Sequence, residues 1–303
     1  MRKANPSVDN LIPYSDLHIA SRGFLLAMKA EGKRPRTLEV YGEAIHLLSG
    51  YALQMGFPDD VSSLTAEHLR HFLASLHDRG LAPASVSVYQ RALRRLFAWL
   101  VHEGEIRENP MARIEAVKVP DKEVPTFTAA ELRRLLRTCR TLRDRALLSW
   151  FIETGCRLSE VTGLLLEDID FERETVMVRG KGGAERIIRP GASALVCLER
   201  YMRRERPRVG LHVFLTSKRP HVPLRPNAVQ WWLARLGRVA GVAHVHAHRF
   251  RHTKATWLMR QGVRQDEVQY LMGWRTSDMV RRYTGTELRE RALETPHSLL
   301  GTL

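Results

Sequence analysis

The chain has 303 residues, 44% of them hydrophobic and 27% charged, which allows two ordinary domains with sizeable cores and excludes wholesale disorder. Lys and Arg outnumber Asp and Glu by 48 to 33, a formal net charge of +15, so the expected partner is a polyanion, nucleic acid first. Three scattered cysteines, Cys139, Cys156 and Cys197, do not make a disulfide framework or a metal spacing, and no window of 18 uninterrupted apolar residues suggests a membrane span. The opening MRKANPSVDN lacks the apolar run of a signal peptide, so the expected location is the cytoplasm of a prokaryotic cell, in contact with nucleoid DNA.

Apolar residues at helical spacing predict helices over 16–30, 37–55, 66–78 and 84–102. In the last of these Val88, Leu93, Leu96, Phe97 and Leu100 form one face, with Arg91, Arg94 and Arg95 largely off it. Thr65 is the expected N-cap of the third helix and Gly80 its stop. Four such helices make a compact bundle. After Asn109-Pro110 the segment VKVPDKEVPTF (117–127) is rich in proline and charge without periodicity, and reads as a linker between domains at 1–116 and 128–303. The charge is divided unevenly. Residues 1–120 carry 15 basic and 13 acidic side chains, while residues 121–303 carry 33 and 20, so the second part dominates the electrostatic footprint.

The second part opens at Thr128 with Glu131 three residues on, the spacing of a capping box, and helices are predicted over 129–138 and 142–154, the latter stopped by Gly155. The segments 175–179 and 184–189 flank Gly180-Lys181-Gly182-Gly183 and predict a β-hairpin with Lys181 on its turn. The acidic run Glu167-Asp168-Ile169-Asp170 reads as a solvated loop before it. Helices are expected again over 191–205, 226–240, 248–261, 265–272 and 276–283, with a short tail helix over 286–294. The fold class is therefore mainly α: an N-terminal helical domain, then an α+β domain with a small β-hairpin or sheet.

Five pieces stand out in this second part: Arg157 with Glu160, Lys181, His248 with Arg251, Trp274, and Tyr283. Arginine suits a phosphodiester because its planar fork binds two phosphate oxygens at once, and a pair such as Arg157 and Arg251 stabilises a more negative transition state. His248 and Arg251 are i and i+3 at a helix start, so both can face one phosphate; a neutral imidazole there accepts a proton or hydrogen-bonds a non-bridging oxygen. His244, His246 and His248 alternate and would share a face in a strand, but no further pair with zinc spacing completes a set, so no metal is expected. Gly-Lys-Gly-Gly lacks the spacing of a phosphate-binding P-loop.

In order and identity these pieces resemble the tyrosine recombinase (phage integrase) family. Thr154-Gly155-Cys156-Arg157-Leu158-Ser159-Glu160-Val161 resembles its first signature, and His248-Arg249-Phe250-Arg251-His252-Thr253 resembles its His-x-x-Arg-His signature. Leu271-Met272-Gly273-Trp274 followed by Arg282-Tyr283-Thr284 resembles its last signature. The resemblance covers about 128–290, and the first helical part is similar to the family's core-binding domain by helix pattern alone.

The resemblance implies a site-specific DNA recombinase. Tyr283 attacks the scissile phosphate to form a 3′-phosphotyrosyl link, Arg157, Arg251, His248 and Trp274 hold the phosphate, and Lys181 protonates the departing 5′ oxygen. Glu160 orients the site's arginine and histidine. Trp274 departs from the histidine that most members carry; an indole donates a hydrogen bond and buttresses Tyr283 but shuttles no proton. No cofactor, neither metal nor ATP, is expected. Strands exchange through a Holliday junction in a homo-tetramer, or a hetero-tetramer with a related recombinase, on double-stranded DNA. The short N-terminus resembles compact Xer-like or transposon-type members.

Leu288, Leu293, Leu299 and Leu300 of the tail bury either in another subunit or in cis. Candidate DNA-backbone contacts in the first part are Lys33, Arg34 and Arg36, and the face of Arg91, Arg94 and Arg95; the bases that are read are not legible. The competing activities are type IB topoisomerase-like relaxation and DNA binding without strand transfer.

Overall fold

In the computed structural model the chain divides into two compact units, Met1–Lys122 and Glu123–Leu303. The structure describes residues 16–58, 60–120, 125–180 and 183–276. The first unit is built of four helices: α1 (Asp16–Ala30), α2 (Pro35–Met55), α3 (Ala66–Asp78) and α4 (Pro83–His102). α2 and α4 begin two residues and one residue before the apolar periodicity does, because a proline in the first turn costs no hydrogen bond there and holds the helical φ. α2 ends at Gly56, left-handed at φ 66°. Thr65 caps α3 as expected, with His68 rather than an acid completing the reciprocal pair: each backbone N–H donates to the other side chain at 3.3 Å.

Phe24, Met28, Leu48, Phe72, Leu76, Leu93, Leu96, Phe97 and Leu100 form the core of this unit and are fully buried. Each such side chain contributes roughly 1.5–3 kcal/mol by leaving water. The apolar face of α4 enters the core through Val86; Val88, expected there, is only half-buried, because Val86 is the residue a turn ahead of Gln90 and Leu93 on the buried side. After α4 an extended strap is tied back onto the helices by side chains. Arg70 donates to the Arg113 carbonyl (3.1 Å) and Arg94 to that of Ile114 (2.6 Å). Buried Gln90 donates to the Glu115 carbonyl (2.6 Å) and accepts from the Val117 N–H (2.8 Å).

The second unit contains α5 (Ala129–Thr138), α6 (Leu142–Thr154), α7 (Leu158–Thr162), β1 (Ile169–Asp170), β2 (Thr175–Arg179), β3 (Glu185–Ile188), α8 (Ala192–Arg204), α9 (Pro226–Ala240), α10 (Ala247–Arg260) and α11 (Gln265–Met272). α6 is buried nearly all round, through Ala146, Leu147, Leu148, Trp150 and Phe151, and packs against α8 and α10 as the central helix of the unit. The Thr128–Glu131 capping box starts α5 as expected, with the Thr128 N–H donating to Glu131 at 2.8 Å.

The strands form an antiparallel sheet in the order β1-β2-β3, with Val176 opposite Ile188 and Val178 opposite Arg186. Of the helices and strands named above, the five-residue α7 and the two-residue β1 went unread in the sequence, both too short to show a period. The acidic run before the hairpin is not a solvated loop. Asp168 is buried, accepts from the Leu165 N–H at 2.9 Å and is paired with Arg179, and Ile169 and Asp170 form β1. Among the described residues no helix is long and apolar enough to cross a membrane.

Candidate active site

Three helix ends create the site. α6 stops at Gly155, left-handed at φ 59°, where a Cβ would lie 3.0 Å from Cβ of Lys254 and 3.4 Å from the Arg251 backbone, so only glycine lets α10 approach this closely. α7 begins directly after Arg157, whose own N–H donates to Glu160 Oε2 at 2.8 Å, satisfying one donor of the first turn. α11 stops at Gly273 (φ 58°), where a Cβ would meet Arg186 Nη1 at 2.8 Å.

The open carbonyls at the end of α11 are taken by three arginines from three different elements. Arg186 Nε donates to the Leu271 carbonyl (2.9 Å), Arg251 Nη2 to that of Met272, and Arg157 Nη2 to that of Gly273 (2.8 Å). A helix C-terminus carries partial negative charge, so cations are favoured there. Arg251 Nη1 also donates to the Gly155 carbonyl at 3.0 Å, joining the ends of α6 and α11.

Glu160 is the acid among these cations. It is 4% exposed and accepts from Arg157 Nη1 (2.8 Å) and, through both oxygens, from Arg186 Nη1 and Nη2 (3.0 and 2.9 Å). Burial alone would raise its pKa. The hydrogen bonds and charge of Arg186, then those of Arg157, overrule burial and hold the carboxyl at about 2. Burial, and then the Arg157 charge, pull the Arg251 guanidinium down to about 10, still protonated at neutral pH. The pKa of His248 is lowered by desolvation first and by Arg251 next, which favours the neutral imidazole, and the residue as a whole is exposed to solvent.

The two expected phosphate arginines are unequal. The Arg157 side chain is 35% exposed, whereas Arg251 is 2% exposed and lies with its guanidinium carbon 5.1 Å from the centre of the Trp274 ring. Each uses two of its five N–H donors on the contacts above. Trp274 is itself buried, in a small cluster with Ala255, Leu258, Met259, Val268 and Met272. Lys181 and Tyr283 lie outside the described residues, as do the expected helix over 276–283 from residue 277 on, the tail helix over 286–294, and Leu288, Leu293, Leu299 and Leu300.

The strand that would align His244, His246 and His248 does not form. His244 has φ 52°, and His246 caps α10, its Nδ1 accepting from the Arg249 N–H at 3.2 Å. Among the described residues no group of three or more potential ligands could hold a metal ion. In the first unit, Lys33 and Arg95 both pair with Glu31 (3.2 and 2.9 Å), and Arg36 pairs with Glu39 (2.8 Å). Arg91 donates to the Ser87 carbonyl at 3.3 Å and Arg34 is exposed, while Arg94 is half-buried on the strap. An open groove of about 470 Å³, lined by Arg143, Trp231, Trp232 and Arg235 among others, contains none of the signature residues.

Two residues of this region were not singled out in the sequence. Arg186 is one, and its signal was present: Val178 opposite Arg186 and Val176 opposite Ile188 place it on the apolar face of the hairpin, where a charge must find partners. Arg249 is the other. It is buried over the Phe127 ring and donates to the carbonyls of Pro125 (3.0 Å), Thr126 (3.0 Å) and Ala243 (2.7 Å) and to Glu131 (3.1 Å).

The phage integrase family matches residues 125–289, more than half of the chain, and the N-terminal SAM-like domain of phage integrases matches residues 22–104. The tyrosine recombinase XerC of Xanthomonas campestris pv. campestris (strain B100) is 33% identical over 261 residues, 84% of this chain and 80% of that protein. This chain belongs to the phage integrase family of tyrosine recombinases. XerC of Chromobacterium violaceum is 30% identical over 280 residues, 90% of this chain and 92% of that one. The fold is shared with two solved recombinases. A lambda integrase tetramer bound to a Holliday junction has a TM-score of 0.72 at 21% identity, covering 89% of this chain and 78% of that one. The XerH recombinase in a post-cleavage complex with a palindromic difH substrate has 0.72 at 22% identity, covering 90% and 84%. The phage integrase family is a class of enzymes that cut and rejoin DNA strands at specific sites, and this recombinase is one of them.

Proposed function

We propose that this recombinase works through Tyr283, with Arg157, Arg251, His248 and Trp274 around the scissile phosphate and Lys181 as the leaving-group acid. The reading is carried by one observation: Arg157 and Arg251, from separate signatures, converge on the end of α11, the helix that precedes Tyr283 in the sequence. Tyr283 Oη attacks phosphorus, the P–Oη bond forms and the P–O5′ bond breaks. The phenol proton passes to the neutral imidazole of His248, and O5′ takes a proton from Lys181. The 5′-hydroxyl of the partner strand then attacks the 3′-phosphotyrosyl link, which restores a phosphodiester and frees Tyr283. Bonds and protons balance without ATP or a metal, because the ester energy stays in the covalent link.

The first unit serves as the core-binding domain, clamping double-stranded DNA with the second. Lys33, Arg34, Arg36, Arg91 and Arg95 meet the backbone, and Arg94 acts through the strap it holds. Solved neighbours include a tetramer on a Holliday junction, and the assembly here is read as a tetramer, of this chain alone or with a related recombinase, acting in the cytoplasm. The test is covalent capture of DNA by the native chain and by Tyr283→Phe. Adducts at one sequence, lost in the variant, support recombination. Adducts without sequence preference instead favour a topoisomerase-like activity.

A further inference from the structure

The buried Glu160 carboxylate pairs with two guanidiniums from different elements, Arg157 at the start of α7 and Arg186 on β3. The two contacts differ in kind. Arg157 gives the acid one arm and remains 35% exposed, while Arg186 gives it two arms, a third to the Leu271 carbonyl, and is buried. A bidentate pair holds its carboxylate more firmly than a single contact does. The signature residues alone, Arg157, Arg251 and Glu160, sum to one positive charge; with Arg186 the cluster carries two. A phosphodiester bears one negative charge and its five-coordinate transition state two, so the second positive charge matches the charge that develops in the reaction.

We propose that Arg186 is a positioning residue for strand cleavage: by engaging both oxygens of Glu160 and the carbonyl of Leu271, it leaves the Arg157 charge free to act on the scissile phosphate and fixes the helix end that anchors Arg157 and Arg251. It touches no substrate itself and acts through Glu160. The inference rests on the recombinase mechanism proposed above.

The test compares two versions of the cleavage site recovered by covalent capture, one with the ordinary scissile phosphate and one with a methylphosphonate there, whose transition state carries one negative charge fewer. Single-turnover cleavage, DNA affinity and thermal unfolding are measured for the native chain, Arg186→Gln, Arg186→Lys and the double variant Glu160→Gln/Arg186→Gln. Arg186→Gln is expected to cut the phosphodiester about 100-fold more slowly with DNA affinity within about 3-fold of native, and to fall within about 5-fold of native on the methylphosphonate. Arg186→Lys lies between the two. The double variant, which removes the acid that Arg186 offsets, recovers about 10-fold or more over Arg186→Gln, a coupling expected of residues acting on one charge.

Equal deficits on both substrates reduce Arg186 to a structural brace and overturn the proposal, as does phosphodiester cleavage within 3-fold of native. If Arg186→Gln is unfolded, Arg186→Lys and the double variant carry the same comparison, and a substrate-independent deficit in both refutes it. A native chain that cleaves neither substrate overturns the mechanism beneath the proposal, an outcome distinct from a failure of Arg186 alone.

Discussion

Arg157 donates to the carbonyl of Gly273 at 2.8 Å, across 116 positions of sequence. The contact joins the arginine of the first signature to the residue before Trp274 in the last. With Arg251 on Met272 and Arg186 on Leu271, three consecutive carbonyls at one helix end fix three guanidiniums. The positive charge of this cluster is thereby built into the packing of α11, and a side chain that disturbs this helix end disturbs all three cations.

Glu160 is expected to be both a stability element and a pH-dependent one. Removing one member of a buried ion pair leaves the other uncompensated, so Glu160→Ala should cost roughly 3–5 kcal/mol in urea unfolding. Its folded pKa of about 2 lies below the ordinary 4.5. A depressed carboxyl contributes stability that is present in full above about pH 4.5 and is lost as pH falls toward 2, a difference on the order of 3 kcal/mol. The stability gap between native and Glu160→Gln should therefore be widest near neutrality and close as the pH drops through this window. A gap that stays constant down to about pH 2.5 contradicts an ionised Glu160.

His248 should act as a neutral base. Desolvation and the neighbouring Arg251 lower its pKa from 6.5, so the neutral form persists to lower pH than a free histidine allows. The acid limb of the cleavage rate against pH should fall below 6.5, and His248→Gln should flatten it while slowing cleavage about 100-fold. An acid limb above 6.5 would show that the group whose protonation stops cleavage is not a His248 of lowered pKa.

Arg249 lies between His248 and Phe250 in the same signature, yet its predicted role is structural. It holds the carbonyls of Pro125, Thr126 and Ala243 and the Glu131 carboxylate, and the Thr253 hydroxyl adds a contact by accepting from the Phe127 N–H at 2.9 Å. Arg249→Met should destabilise the second unit by about 3–5 kcal/mol, since three carbonyls and an acid lose a buried partner. Arg249→Lys should recover little of it, because one ammonium cannot span that set. Thermal unfolding checks both; an unchanged midpoint in Arg249→Met removes the structural role.

The helices of both units were legible in the sequence wherever an apolar stripe ran for three turns, and the capping at Thr65 and Thr128 was legible from side-chain chemistry. α7 and β1 were not, since five and two residues carry no period. Val88 and Val86 exchanged places because a single stripe leaves the edge of the buried face open. Arg157, Glu160, His248, Arg251 and Trp274 were legible as signature residues, but what holds them was not. The contacts that fix the site run from side chains to carbonyls of distant helix ends, at Gly155, Leu271, Met272 and Gly273, and backbone carbonyls leave no mark in residue identity. The buried Asp168 was misread for a related reason: its partner, Arg179, is eleven residues away across the sheet.

The most direct measurement of the central claim is covalent capture. The native chain and Tyr283→Phe are incubated in EDTA with sheared genomic and element-end DNA, denatured in detergent, and the DNA that remains bound to protein is sequenced. Adducts at one defined sequence, formed without a divalent metal and lost in Tyr283→Phe, are the predicted result. Equal adducts in both proteins would contradict Tyr283 as the nucleophile.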